Sequence, residues 1–391
     1  MRSALRTLLI GLSLTGPWAV ADEWPSPAQI DLVDQRRASF PWTEIVSAVD
    51  WYTPLETVPG QAGLPLPVDL QVADRYHQAE ALAEKHQSYA LIIWQAGAIR
   101  YEKYWPGFDQ NARYDTASMH KTVLAVLLGI AWDQGLIKSV DDPLANYLPE
   151  LADTRRGQLP LRALLEMASG IQSPPPGQGS EAISWQTYLG NDLPAAIAHW
   201  PQVKAPFEAF YYANANPQYL GRVIEQASGQ RYADYLSHNL WQPLGASDAR
   251  VWLDHEQGLA RTSCCLQATA RDWLRFGLLL LNQGKVGEQQ VVSEAWLTQM
   301  LAPSPQNPNY GWLIWRGSPH NPARTYGEGI NAVVPAAEPF AADDVVYLDG
   351  SGAQRVYVVP SRQTVIVRIG APQHDWDDSA LPNLILTSQN P

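Results

Sequence analysis

Cysteine is nearly absent from this 391-residue chain. The two it has, Cys264 and Cys265, are neighbours, and neighbours cannot staple distant segments. In an oxidising compartment they can close on each other as a vicinal disulfide. Otherwise they are two small residues buried in a tight loop. One such pair supplies no tetrahedral metal set, and no His-Glu-x-x-His occurs among the histidines. Lysine is scarce too: Lys85, Lys103, Lys121, Lys138, Lys204 and Lys285 are all of it. There is no long basic run, and the net charge is −12. That balance argues against nucleic acid and against an anionic membrane surface as partners. A Gly-x-Ser-x-Gly elbow is missing, which argues against a Ser-His-Asp hydrolase. Beyond the first two dozen residues no apolar run reaches spanning length, so no membrane span is expected. We find no internal repeat.

The N-terminus reads as a secretory leader over residues 1–21. Arg2 and Arg6 supply the positive start, Leu8 to Leu14 a short apolar core, and Ala19-Val20-Ala21 a cleavage site of small residues. The expected mature protein begins at Asp22 and is periplasmic or secreted. Residues 22–79 are rich in proline (Pro25, Pro27, Pro54, Pro59, Pro65, Pro67) and read as a wrapping arm. Ser88 to Gln95 and Ile99 to Trp105 read as strands joined at Ala96-Gly97-Ala98. A helix is expected over Thr122–Ala131, and others over Leu161–Met167, Gln218–Ala227, Ala268–Leu281 and Ser293–Leu301. Strands return at Tyr310–Trp315, Val345–Leu348, Arg355–Val359 and Thr364–Ile369, with a final helix over Asp377–Ser388. Strands at both chain ends and helices between them predict an α+β fold. The sheet part is expected at about 80–115 and 305–391, and an all-helical part at about 116–304.

What is present is Ser118-Met119-His120-Lys121. Serine and lysine three apart share a helix face, so the amine can take the hydroxyl proton. Lys121 is the only lysine with a serine at that spacing. The competing reading is an N-cap serine followed by a solvated lysine. Downstream, Tyr212-Ala213-Asn214 enters the Gln218–Ala227 helix. By itself it reads as a buried aromatic beside a capping asparagine. Beside a serine–lysine pair, its phenol can pass a proton to a leaving group or serve as a base. His120 falls on another side of the helix and reads as structural.

Together these boxes resemble the serine β-lactamase and penicillin-binding-protein-like superfamily, nearest its class C β-lactamase, carboxylesterase and 6-aminohexanoate-dimer hydrolase branch. Ser118–Lys121 matches its first box and Tyr212–Asn214 its Tyr-x-Asn box. Between them lies Leu164-Leu165-Glu166-Met167-Ala168-Ser169-Gly170, and after them Thr269-Ala270-Arg271-Asp272-Trp273-Leu274-Arg275-Phe276. The resemblance covers about Ser88 to Ile369. It implies a β-lactamase/transpeptidase-like fold: an antiparallel sheet built from both chain ends and flanked by helices, a helical subdomain, and a site at their junction. The third box departs from the pattern. Where the family carries Lys-Thr-Gly or His-x-Gly, this chain has Ser351-Gly352-Ala353 followed by Gln354, with no cation. Arg355 stands one position too far along to be taken as its replacement.

The implied reaction is attack by Ser118 on a small ester or amide, with Lys121 or Tyr212 as base. Asn214 positions lysine or substrate. Ser351, Gly352 and Gln354 border the substrate, and the backbone N–H groups of Ser118 and Gln354 form the oxyanion hole. No metal and no organic cofactor is required. The missing cation argues against the alternative substrates, a β-lactam or a D-alanyl-D-alanine peptide. Retention of serine, lysine and tyrosine together argues against a catalytically silent binding protein. The sequence does not address the oligomeric state.

Overall fold

The computed structural model describes residues 24–388 except 176 and 329; the expected leader at 1–21 lies outside the described residues. A six-stranded antiparallel sheet runs in the order Ala98–Tyr104, Ser88–Gln95, Thr364–Gly370, Gln354–Val359, Val346–Gly350, Trp315–Arg316. Both chain ends therefore build it. Its middle strands are buried on both faces, which is why they read as continuous apolar runs rather than alternating ones. The Ala270–Leu281 helix packs on one face. A Cβ at Gly277 would come within 2.5 Å of Val365, so helix and sheet approach as closely as a glycine allows.

The expected Tyr310–Trp315 strand shrinks to Trp315–Arg316. Its earlier backbone groups go elsewhere: Trp312 N donates to Met300 O and Leu313 N to Leu165 O, with Leu313 at φ 53. The expected Ala268–Leu281 helix begins two residues later. Leu266–Thr269 is a strand, and Thr269 caps the helix reciprocally with Asp272. This capping box is the physical content of the Thr-x-x-Asp match.

The helix His120–Asp133 is buried from His120 through Ala131. A helix apolar all round belongs at the centre of a core, and this one packs against Ala215–Ser228 and Glu294–Met300. The 116–304 region holds most of the helices and also contributes two strands to a second sheet, ordered Leu55–Val58, Ala249–Trp252, Leu266–Thr269, Arg113–Asp115. The proline-rich arm thus supplies an edge strand. It also holds the helix Pro27–Ala38, capped by Ser26 and Gln29. A small separate core of Val33, Tyr52, Leu189, Trp252, Cys264 and Cys265 lies under this arm.

Candidate active site

Ser118 stands where the two parts of the molecule meet. The strand Arg113–Asp115 ends just before it, and a single 3-10 turn, Ala117–Met119, leads into the His120–Asp133 helix. Ala117 has φ 49, a left-handed value uncommon outside glycine. Its N–H donates to Asp115 Oδ1 at 3.0 Å, which steadies the turn. The three-residue spacing then brings Lys121 back to Ser118, with Nζ 2.8 Å from Oγ.

Lys121 is 1% exposed. Burial pulls its pKa down to about 7, against the opposing pull of Asp349. A second partner, the Ser263 carbonyl, accepts from Nζ at 2.5 Å. The amine also lies 4.8 Å from the centre of the Tyr212 ring.

The Tyr212 hydroxyl faces Ser118. Burial, and then the charge of Asp349, hold that phenol well above its ordinary pKa, so it stays protonated near neutrality. Its loop is zipped to the Leu164–Gly170 box: Tyr211 N donates to Met167 O at 2.8 Å and Phe207 N to Ala168 O at 2.7 Å. Ser169 Oγ donates to Asn216 Oδ1 at 2.7 Å, just past Asn214. Gly170 has φ 78, and a Cβ there would sit 2.2 Å from the Lys204 carbonyl oxygen. The Ser-Gly box is therefore the clamp that places the tyrosine. Asn214 lines the cleft. Its Oδ1 is buried without a partner, and its side chain does not cap the helix it precedes.

The third wall is a strand edge. Trp315–Arg316 pairs only with Tyr347 and Val346, leaving Leu348, Asp349 and Gly350 uncovered on that side. Gly317 N donates to Val345 O. Antiparallel alternation then directs the backbone groups of Tyr347, Asp349 and Ser351 to this open edge. Gly350 presses against the chain leading to Ser118, and a Cβ there would lie 2.2 Å from Thr116 O.

Gln354 departs from the expectation. It is fully buried on the inner strand Gln354–Val359, and the same alternation turns its N–H toward Gly350. Its side chain is spent on Gly352 O, Gly370 O and Gly370 N. It does not line the cleft, whereas Ser351 and Gly352 do. His120 is turned away, with Nδ1 on Cys264 O and Nε2 on the Tyr232 hydroxyl.

Behind the edge lies a buried ionic cluster that sequence reasoning missed. Asp349 is held by Arg324 (3.0 Å) and Arg355 (2.5 Å), and Asp378 by the same two guanidinia (2.7 and 2.8 Å). Tyr326 donates to Asp349 at 2.6 Å. Burial would raise the Asp349 pKa, but the two arginines outweigh it and keep it ionised. The one available signal was a carboxylate inside an apolar strand, Val345-Val346-Tyr347-Leu348-Asp349. The cleft, of about 300 Å³, is also bordered by Ile330, Val333 and Val334 of a hairpin beside Arg324, and by His374 and Trp376. Among the described residues no cluster of metal-ligating side chains occurs.

Known proteins resemble this chain in sequence and in fold. Over 276 residues the chain is 26% identical to the 6-aminohexanoate-dimer hydrolase of Paenarthrobacter ureafaciens, covering 66% of this chain and 67% of that one. A Bacillus anthracis structure assigned as a 6-aminohexanoate-dimer hydrolase superposes with TM-score 0.69 at 21% identity, covering 90% of this chain and 91% of that one. A D-stereospecific amidohydrolase from Streptomyces superposes with TM-score 0.56 at 18% identity, covering 81% of this chain and 98% of that one. The Beta-lactamase family model matches residues 75–380. With that match across most of its length, the chain belongs to the beta-lactamase family and is a hydrolase of this serine-hydrolase superfamily.

Proposed function

We propose that the protein cleaves a small ester or amide through an acyl-enzyme on Ser118. The observation that carries this reading is the Lys121 amine, 2.8 Å from the serine oxygen and held near neutrality by burial. Neutral Lys121 takes the Ser118 proton as the hydroxyl attacks the carbonyl carbon. The Ser118 N–H and the outward-facing Ser351 N–H receive the oxyanion. Tyr212, a neutral phenol, relays a proton to the departing oxygen or nitrogen. Asn214 Oδ1 accepts from a substrate N–H, and water later releases the acyl group by the same route in reverse.

The class of bond is supported by the names of the relatives, a dimer hydrolase and an amidohydrolase. The Ile330–Val334 lip favours an uncharged chain on one side of the carbonyl. Penicillin-type substrates fit less well. Arg355 is the one guanidinium or ammonium among the described residues lining the cleft, and two carboxylates already engage it. We also place the mature protein in the periplasm or outside the cell, on the strength of the leader. N-terminal sequencing of the exported form should begin at Asp22.

A fluorophosphonate probe should label the wild-type protein at Ser118 and leave Ser118→Ala unlabelled. Ester or amide turnover should fall by about 10⁴-fold or more in that variant. Labelling that persists in Ser118→Ala would defeat the assignment. A panel of short acyl esters, linear amides and a chromogenic cephalosporin distinguishes the substrate classes; preference for the cephalosporin would favour a β-lactamase.

A further inference from the structure

The second partner of the Lys121 amine, the Ser263 carbonyl, belongs to the residue directly before Cys264. Cys264 and Cys265 are joined to each other by a disulfide, which closes a small ring through their shared peptide bond. A ring of that kind removes torsional freedom from both residues. Cys265 has φ 71, a left-handed value unfavourable for a residue with a Cβ. The loop is also anchored at each end. Arg261 donates to the carbonyls of Thr187 and Gly190, and the strand Leu266–Thr269 begins immediately after Cys265. Between these anchors the carbonyls of Arg261 and Cys264 contact His120 Nδ1 at 3.2 and 2.7 Å. The loop thus presents three carbonyls to the start of the Ser118 helix.

The geometry matters to a neutral amine. To accept a proton from Ser118, Lys121 must aim its lone pair at that hydroxyl, and its N–H bonds must point elsewhere. The Ser263 carbonyl fixes one of them. The other titratable groups around Lys121 are Asp349 on the strand edge, Tyr212 ahead of its helix and His120 beside it. None of these replaces the carbonyl in orienting the amine.

We propose that the Cys264–Cys265 disulfide is a positioning element for Lys121, acting through the Ser263 carbonyl, and that reduction by a dithiol slows acylation of Ser118. The proposal rests on the reading of Lys121 as the base. In the reduction the dithiol gives up two electrons and two protons and becomes its own disulfide; the S–S bond breaks and each cysteine becomes a thiol. No step of hydrolysis passes through sulfur. Cys264 is 8% exposed and Cys265 fully buried, so conversion is followed by counting thiols.

The test measures kcat and KM for a short acyl ester across the neutral pH range. Four samples are compared: the oxidised protein, the protein reduced with excess dithiothreitol, the same sample reoxidised, and Cys264→Ser/Cys265→Ser. In the reduced and double-serine proteins kcat should fall at least about tenfold with little change in KM. The acid limb of kcat/KM should move to higher pH, because a loosened loop lets water reach the amine; each unit of that move is about tenfold in neutral lysine. Reoxidation should restore the wild-type values. Equal kcat and an unmoved limb in oxidised, reduced and double-serine proteins overturns the proposal. If the double-serine protein does not fold, the reduced and reoxidised wild type decides. Lys121→Ala keeps the two ideas apart: full activity there overturns the base assignment, whatever the thiols do.

Discussion

Two buried ionisable side chains near Ser118 respond to pH in different ways. As the proposed base, Lys121 acts only when neutral, and burial brings its pKa to about 7. The pH profile of kcat/KM should therefore fall below an apparent pKa of about 7 and level off above it. A limb near the ordinary lysine value would mean that another group accepts the proton. Asp115 behaves oppositely as a stability element. Burial, partly opposed by the Ala117 N–H, raises its pKa from 3.8 to about 7. The folded protein holds that proton more tightly than the unfolded chain does. The stability this contributes is complete below the unfolded value and is lost as pH rises through about 7. Asp115→Asn keeps an acceptor for Ala117 and removes the charge. Urea melts at mildly alkaline pH should find it more stable than wild type by roughly 2–4 kcal/mol, with the gain shrinking as pH falls below about 7 and vanishing only below the unfolded value of 3.8. Ser118 and Lys121 were legible because their spacing is local. Asp115 was not, since nothing adjacent to it marks its burial.

At the scale of elements, caps and turns explain motifs that first looked like labels. Thr269 and Asp272 cap each other, and Asp272 Oδ1 also accepts from Ser247 N at 2.9 Å. Thr269→Ala should cost about 1–2 kcal/mol in chemical denaturation, with the active-site chemistry little changed. A cost near zero would show the box to be ornamental. Strand Ser88–Gln95 has the bounds expected from its β-branched and aromatic content and its Ala96-Gly97 turn. The Tyr310–Trp315 strand shrank to its last residue and Arg316, because Trp312 N found the Met300 carbonyl, Leu313 N the distant Leu165 carbonyl, and Tyr310 and Gly311 bonded within their own turn. The Pro27–Ala38 helix was hidden by the prolines around it, although Ser26-Pro27 followed by Gln29 is a legitimate helix start. Tyr212 was visible as a motif. The reason it faces Ser118, a loop zipped to Met167 and Ala168, was not.

At the scale of the molecule, the site depends on long-range closure. Arg324 comes from the hairpin Ala323–Thr325/Val333–Pro335, Asp349 and Arg355 from the central sheet, and Asp378 from the segment before the last helix. The cluster is neutral in sum and almost dry. Removing one member strands the opposite charge. Arg324→Ala should therefore destabilise the protein by about 3–5 kcal/mol in a denaturant melt, more than the loss of an exposed ion pair costs. A loss below about 1 kcal/mol would mean that water reaches the carboxylates. No local pattern in the sequence pairs Arg324 with Asp378; only the folded chain brings them together.

The edge strand Leu55–Val58 has a practical corollary for anyone shortening the gene. The family match starts at residue 75, yet Leu55 pairs with Trp252 and Tyr52 stacks on its indole at 3.8 Å. An expression clone trimmed to the homology boundary would strip the roof from Trp252 and the paired sulfurs, leaving a sticky aromatic face and a raw sheet margin open to self-association.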